Sequence, residues 1–478
     1  MTESPPTPAG NPPTGPAEPV ALGTVPGRWV LLATVLASAM ALLDATAVNV
    51  ALPAIGAELG ASLSGLQWTV TGYTLALAAL ILLGGALGDR YGRRRVFLVG
   101  VVWFASASLL CGLAQSPVQL VGARALQGIG GALLTPGSLS IIQSSFRRAD
   151  RARAIGLWSA LGGLAGLLGP FLGGFLIDTV SWRWVFGVNV PVALLVLAAA
   201  RHVPESRDPA AHGRFDVLGA VLGALALGGV TYALIAAGED VGADVWISAA
   251  GGVLAAAAFV VREQRAAEPM LPLTVFTDRQ FSGANLATLA VYGALGGLQF
   301  FLVLQLQTVL GYTATQAGAA MLPSILLITL LSARAGALAQ RIGPRRPMAV
   351  GPLVAATGLL WLTRAGDGGP YWLDVLPGSL LFGLGMSALV APLTATVLGA
   401  APDHLAGVAS GVNNAVARAA NLLAVAALPV AVGLSGADHA RPEAFSAGFT
   451  TAMVVCAGLM VAGSAVSWLT IRDDLLAG

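Results

Sequence analysis

The sequence contains no lysine: all 25 of its Lys and Arg residues are arginine. A P-loop nucleotide site and a lysine Schiff base both need a lysine amine, so neither can be built on this chain. Charge of either sign is scarce, at 10% of residues, against about 25% in an ordinary soluble domain. The four histidines, His202, His212, His404 and His439, fall in polar connecting segments. A membrane-embedded haem or a histidine metal site therefore has no ligands. The two cysteines, Cys111 and Cys456, lie in apolar runs without CxxC spacing and read as small core residues. No cofactor, metal or nucleic-acid partner is expected, and the chain is not expected to be an enzyme.

What the sequence does have is apolar residues, 56% of the total, together with 61 glycines in 478 positions. This is the composition of an all-α integral membrane protein, with the lipid bilayer as its solvent. Residues 1–27 carry PPTPAGNPPTGPAEP and are expected to form a disordered Pro-rich tail. They lack the charged n-region and short apolar core of a signal peptide. The first apolar run is therefore expected to remain in place as an anchor.

A membrane helix needs roughly 20 apolar residues. Cutting the chain at charges and turn clusters gives fourteen candidate spans, at 28–57, 65–88, 96–115, 117–143, 153–177, 182–200, 216–238, 244–262, 282–310, 317–340, 346–365, 374–399, 406–434 and 445–471. Arginines cluster after the even-numbered spans 2 to 10, as in Arg90/Arg93/Arg94/Arg95 and Arg341/Arg345/Arg346. Loops on the other side are acidic or nearly neutral. The positive-inside rule then puts both termini in the cytoplasm.

An internal repeat supports the count. GALGDRYGRRRVFLVG at 85–100 matches GALAQRIGPRRPMAVG at 336–351 in nine of sixteen positions, at an offset of 251 residues. Two related halves are implied. Eight helices in that offset need about 31 residues each, which suits a span plus a short loop, whereas six would need about 42. The expected organisation is a 1–27 tail, a six-helix bundle at 28–201, a linker at 202–214, two additional helices at 215–262, a linker at 263–280, a second six-helix bundle at 281–472 and a 473–478 tail.

With these motifs in place, the sequence resembles the major facilitator superfamily, and within it the fourteen-span drug:proton antiporters. Residues 85–95 are similar to the family's motif after span 2, LLDATAVNVALP at 42–53 resembles the signature of the fourteen-span branch, and Arg124, Gln127 and Gly128 resemble R-x-x-Q-G. GPFLGG at 169–174 is similar to the antiporter motif, with Ala165 where the full pattern has glycine. The resemblance covers nearly all of the chain after residue 27. It implies a major facilitator fold of two six-helix bundles plus two central helices, and proton-coupled antiport of multidrug or antibiotic type in the cell membrane.

The residues can also be read directly. Asp44 is the only acid placed well inside a span, and an intramembrane carboxylate is a proton-site candidate unless a neighbouring helix holds it permanently. Five residues on, Asn49 adds a polar group. Arg124, Gln127, Gly128, Gly131 and Thr135 fall on one stripe of span 4. Arg124 stays protonated and suits tuning a carboxylate or holding an anion; a structural ion pair is the alternative. Asp44 and Arg124 form the expected proton-coupling pair. Gly162, Gly166, Gly169 and Gly173 make a second stripe in span 5, and Gly166, Gly169, Pro170, Gly173 and Gly174 are the expected antiporter motif, a flexible seam or simply tight packing.

Gln299, Gln305, Asn413, Asn414 and Arg418, with Asn49 and Gln127, are the candidates for a substrate cavity; Arg334 is embedded or nearly so. No second deep acid accompanies them, which argues against dicationic substrates. The expected function is export of a small amphiphilic compound in exchange for protons, by a monomer. A specific metabolite or lipid exporter and a non-transporting sensor or scaffold are the alternatives.

Gly85, Asp89, Arg90, Gly92, Arg93 and Arg94 form a candidate conformational latch. In the repeat Asp89 has only Gln340 as counterpart, so it is the asymmetric element, placed to pair with Arg93 or Arg94 or to cap a nearby helix. Asp89→Asn is expected to insert normally yet turn over slowly. Normal transport by that variant, measured alongside its topology, would reduce the stretch to a topology signal.

Overall fold

The computed structural model describes residues 19–207, 216–266, 269–366, 368–402, 405–436, 438 and 441–473. Most of the expected tails and of the 202–214 linker lie outside the described residues, as do His212, His404 and His439. Among the described residues no strand forms, and fourteen helices follow the expected spans. They are α1 Val25–Leu59, α2 Leu63–Tyr91, α3 Arg93–Gly112, α4 Pro117–Ser145, α5 Arg148–Thr179, α6 Arg183–Ala200, α7 Val217–Ala236, α8 Ala243–Arg265, α9 Arg279–Val309, α10 Ala314–Ile342, α11 Arg345–Leu362, α12 Tyr371–Gly399, α13 Gly407–Ala431 and α14 Pro442–Thr470.

Thirteen are long and apolar enough to cross a membrane. The fourteenth, α11, has 18 residues and starts Arg-Arg-Pro, which dilutes its apolar content. It is nonetheless packed between α12 and α14. Helix starts follow capping chemistry. Thr24, Ser62, Ser116 and Asp216 each accept a backbone N–H of the first turn of α1, α2, α4 and α7, and Asp278 accepts the N–H groups of Gln280 and Phe281, the second and third residues of α9, at 2.8 Å each.

One expectation needs correction. The tail was drawn to residue 27, but α1 begins at Val25 and Val20 is tied to the α4–α5 connection through Ser145 and Arg147, at 2.8 and 3.2 Å. The Asp150 carboxylate takes the N–H of Leu22 as well. Backbone pairing, which composition does not reveal, orders these residues.

Helices α1–α6 and α9–α14 form two bundles. They meet along two seams, α2 with α13 and α5 with α10, and α1 meets α9 between them. The closest contacts lie at the end opposite the arginine-rich loops. There the Gln67 amide donates to the carbonyls of Val425 and Ala426 (2.8 and 3.1 Å), Gln307 donates to Val50 (2.9 Å), and Asp178 accepts the N–H groups of Ala314 and Thr315 (3.1 and 2.8 Å). Helix α7 packs on both α2 and α13, and α8 packs on α7. The additional pair therefore straddles one seam.

At two glycines the α5–α10 seam has no room for a side chain. A methyl group on Gly174 would overlap the Ala314 carbonyl, and one on Gly318 would overlap that of Pro170. Gly318→Val is expected to hold this end apart. Spin labels at Thr179 and Thr315 should then report a longer distance than in the unsubstituted protein, and an unchanged distance would show that the seam yields.

Candidate functional site

Asp44 lies in mid-α1 with no solvent exposure, among the faces of α3, α4 and α6. Its Oδ2 accepts Arg124 Nη1 at 2.5 Å. Its Oδ1 accepts the amides of Gln127 at 2.8 Å and Asn189 at 3.0 Å. Each donor is fixed in turn. The Arg124 Nε donates to the Thr69 carbonyl of α2 (3.1 Å) and its Nη1 also reaches Gln127 Oε1 (2.6 Å). Ser108 Oγ of α3 accepts from Asn189 (2.8 Å) and Gln127 (3.2 Å) and donates to the Phe186 carbonyl (2.9 Å).

Five helices thus meet in one hydrogen-bonded cluster. Arg124, 1% exposed, lies over the Tyr73 ring at 4.4 Å and near that of Phe186 at 5.8 Å. Aromatic faces compensate a cation on the sides that hydrogen bonds leave open. Such a pair stands in a low-dielectric setting only when its remaining donors and acceptors are met.

The expected pairing of Asp44 with Arg124 is found, whereas Gln127, expected in the substrate cavity, is fully buried and used up by Asp44, Arg124 and Ser108. Asn189 and Ser108 were missed. Asn189 had a signal, as the only amide in the apolar run between Arg183 and Arg201. Ser108 had none, since serine is unremarkable in a membrane helix.

The second half departs from expectation. Gln305 is fully buried in a π-helical turn, Gln305–Val309, and donates to the Ala365 carbonyl (2.8 Å) and Ser446 Oγ (3.2 Å). It braces the bundle at its end instead of lining a cavity, because the π turn rotates it onto α11 and α14. Asn413 is occupied by Thr288 (2.7 Å) and Asn285 (3.2 Å) of α9. Asn49 and Asn414 donate to carbonyls four residues back, Ala45 and Ser410, which satisfies them within their own helices. Gln299 is half-buried and Arg334 exposed. Arg418 remains, half-buried in mid-α13, with its Nε buried and without a hydrogen-bond partner.

The antiporter-motif glycines do not share one partner. Gly169 and Gly173 abut Thr46 and Ala47 of α1, whereas Gly174 faces α10 and Gly166 faces open space. The expected stripe of Gly162, Gly169 and Gly173 does face one helix, α1, with Gly166 open, whereas Gly174, outside that stripe, and the Pro170 carbonyl face α10. The α1 turn that carries Asp44 is the one α5 packs against.

In the latch region, Asp89 Oδ1 pairs with Arg93 Nε at 2.8 Å, the first of the expected alternatives. Arg90 lies over Tyr91, and Gly85 packs on Pro136 of α4. The start of α3 is capped by a residue the sequence reading overlooked. Glu205 accepts the Arg94 N–H at 3.1 Å and lies 3.8 Å from Arg95 Nε. In the other half Asp473 accepts the Arg345 N–H at 3.1 Å. Both carboxylates sit against a glycine of positive φ, Gly92 at 115° and Gly343 at 84°. A Cβ there would be strained and would strike the carboxylate. The repeat therefore extends to acids that follow the last helix of each bundle, where no sequence identity marks it.

Removing Arg124 leaves a buried carboxylate without its charge partner, at a cost of about 3–5 kcal/mol. Arg124→Gln should lower the thermal midpoint in detergent, and Asp44→Asn/Arg124→Gln should recover most of the loss. Additive losses would show that the two residues are not coupled.

Comparison with known proteins accords with this geometry. The sequence profile described as Major Facilitator Superfamily matches residues 34–425. The chain is 36% identical over 464 residues to the puromycin resistance protein of Streptomyces alboniger, covering 94% of this chain and 92% of that one. It is likewise 36% identical over 428 residues to the tetracenomycin C resistance and export protein of Streptomyces glaucescens, covering 87% and 78%. Among solved structures, a peptide transporter POT in complex with sulfate superposes with a TM-score of 0.70 at 18% identity, covering 97% and 99%. A bacterial homolog to the human lysosomal transporter Spinster, inward-facing and unoccupied, does so with 0.67 at 18%, covering 94% and 97%.

Proposed function

The chain belongs to the major facilitator superfamily, a transporter and not an enzyme, and from that premise we propose that it exports a small amphiphilic compound in exchange for protons by alternating access. The resistance and export proteins among its relatives support a drug-like substrate. The proton part rests on one observation: a fully buried carboxylate, Asp44, held by an arginine and an amide of α4 and an amide of α6.

The geometry suggests how a proton would act. Ionised Asp44 anchors Arg124 to α1. Protonation removes the charge that holds Arg124, while the guanidinium keeps its own. Arg124 then leans more on Thr69 and Tyr73, both on α2, which packs against the opposite bundle. Meanwhile Gly169 and Gly173 read the same α1 turn and pass its position through α5 to the closed α10 contact. Loading Asp44 thus biases both seams, and a change in their relative closure is what alternating access requires. The orientation with both termini cytoplasmic, action as a monomer and the cell membrane as location complete the proposal.

Inverted membrane vesicles with an imposed pH gradient test it. Addition of a transported compound should release protons, and Asp44→Asn should abolish that release while the protein remains folded. Proton-coupled export by Asp44→Asn at the original rate would remove Asp44 from the role.

A further inference from the structure

Arg418 occupies the middle of α13, where the surrounding helices hold no acid to balance it. Across α9–α14 the described carboxylates stand at helix ends: Asp278 caps α9, Asp374 and Glu443 lie in first turns, and Asp473 follows α14. In the other bundle Asp44 is already matched by Arg124. Two guanidinium groups and one carboxylate leave the midplane one positive charge in excess, and Arg418 carries it. The Arg418 Nε is buried and has no hydrogen-bond partner among the described residues.

The register of the α2–α13 seam shows where this charge faces. These helices run antiparallel, with Gln67 meeting Val425 and Ala426 at one end and Leu82 meeting Gly411 toward the other. Between those contacts the same register sets Arg418 level with Leu75, half a turn from Tyr73 on α2, within electrostatic reach of Tyr73 and of Tyr292 on α9. Arg418 therefore lies along the seam between the halves, near the tyrosine over whose ring Arg124 lies. A guanidinium cannot shed its proton to escape such a place, and it presents forked N–H groups that match carboxylate or carbonyl oxygens.

We propose that Arg418 sets the substrate's charge class: the compound carried presents acceptor oxygens to Arg418, is anionic or uncharged, and bears no fixed positive charge. A cationic amphiphile would bring a second unmatched charge into a low-dielectric space and leave the forked donors unmet. An acidic one neutralises the excess. Tyr73 and Tyr292 flank the contact as apolar walls with a polar tip. This inference rests on the transport function proposed above, but it concerns binding and is measurable without proton flux.

The experiment uses three naphthalene derivatives that differ at one substituent: a carboxylate, a carboxamide or a trimethylammonium. Binding to the purified full chain in detergent is read by tryptophan fluorescence, and uptake by inverted vesicles in parallel. The carboxylate should bind tightest, the carboxamide next and the trimethylammonium not at all. Arg418→Gln should weaken carboxylate binding by about 10- to 100-fold and narrow the gap to the cation. Arg418→Lys, which keeps the charge, should preserve the order. Equal binding of cation and anion by the unsubstituted protein, an Arg418→Gln variant that retains the original order, or no binding of any of the three overturns the proposal. Arg418-dependent binding without substrate-driven proton release would instead uphold the charge class and count against the exchange mechanism.

Discussion

The first bundle is organised around burying the Asp44 carboxylate beside Arg124 in an apolar interior. Removing a carboxylate from water is expensive, and a single arginine does not fully offset it. The fold supplies Arg124, Gln127 and Asn189 as direct donors, and Thr69, Ser108 and Phe186 as the groups that hold those donors in place. Because these residues come from α1, α2, α3, α4 and α6, satisfying one acid fixes the relative positions of most of the bundle. In the mechanism proposed above, the structural brace and the proton site are the same object, and the brace would change when a proton arrives.

The two halves are related in shape but divided in chemistry. Both close their arginine-rich loop with a carboxylate against a positive-φ glycine, Glu205 at Gly92 and Asp473 at Gly343. Among the described residues only the first holds a buried acid in mid-span; Asp374, buried in the second, lies at a helix end. The second offers amides that are mostly consumed by its own packing, as with Gln305 and Asn413, and one unmatched arginine. On the two proposals above, charge exchange and substrate discrimination would fall to opposite bundles, with Tyr73, over whose ring Arg124 lies, on the seam between them.

Much of this could be read in advance. The fourteen spans, the two halves and the Asp44–Arg124 pairing follow from hydropathy, the arginine pattern and the rarity of intramembrane charge. All are strong one-dimensional signals. What could not be read was orientation about a helix axis. Gln305 was grouped with cavity residues until a π turn rotated it into the bundle, and nothing in the sequence showed that Gly174, next to a stripe that faces α1, meets α10 instead. Glu205 and Asp473 escaped notice because their role depends on proximity to a turn over a hundred residues away. Single serines such as Ser108 carry no sequence mark of the contacts they make.

The placement of α7 and α8 also breaks the symmetry of the molecule toward its surroundings. Helix α7 bridges α2 and α13, so the seam on that flank is screened from the hydrocarbon. Among the described residues no corresponding helix spans α5 and α10. A compound dissolved in the bilayer meets a shuttered flank on one side and an unshuttered one on the other. The additional helices thus make the approach from lipid directional, a property that twelve helices in two equivalent bundles would not have.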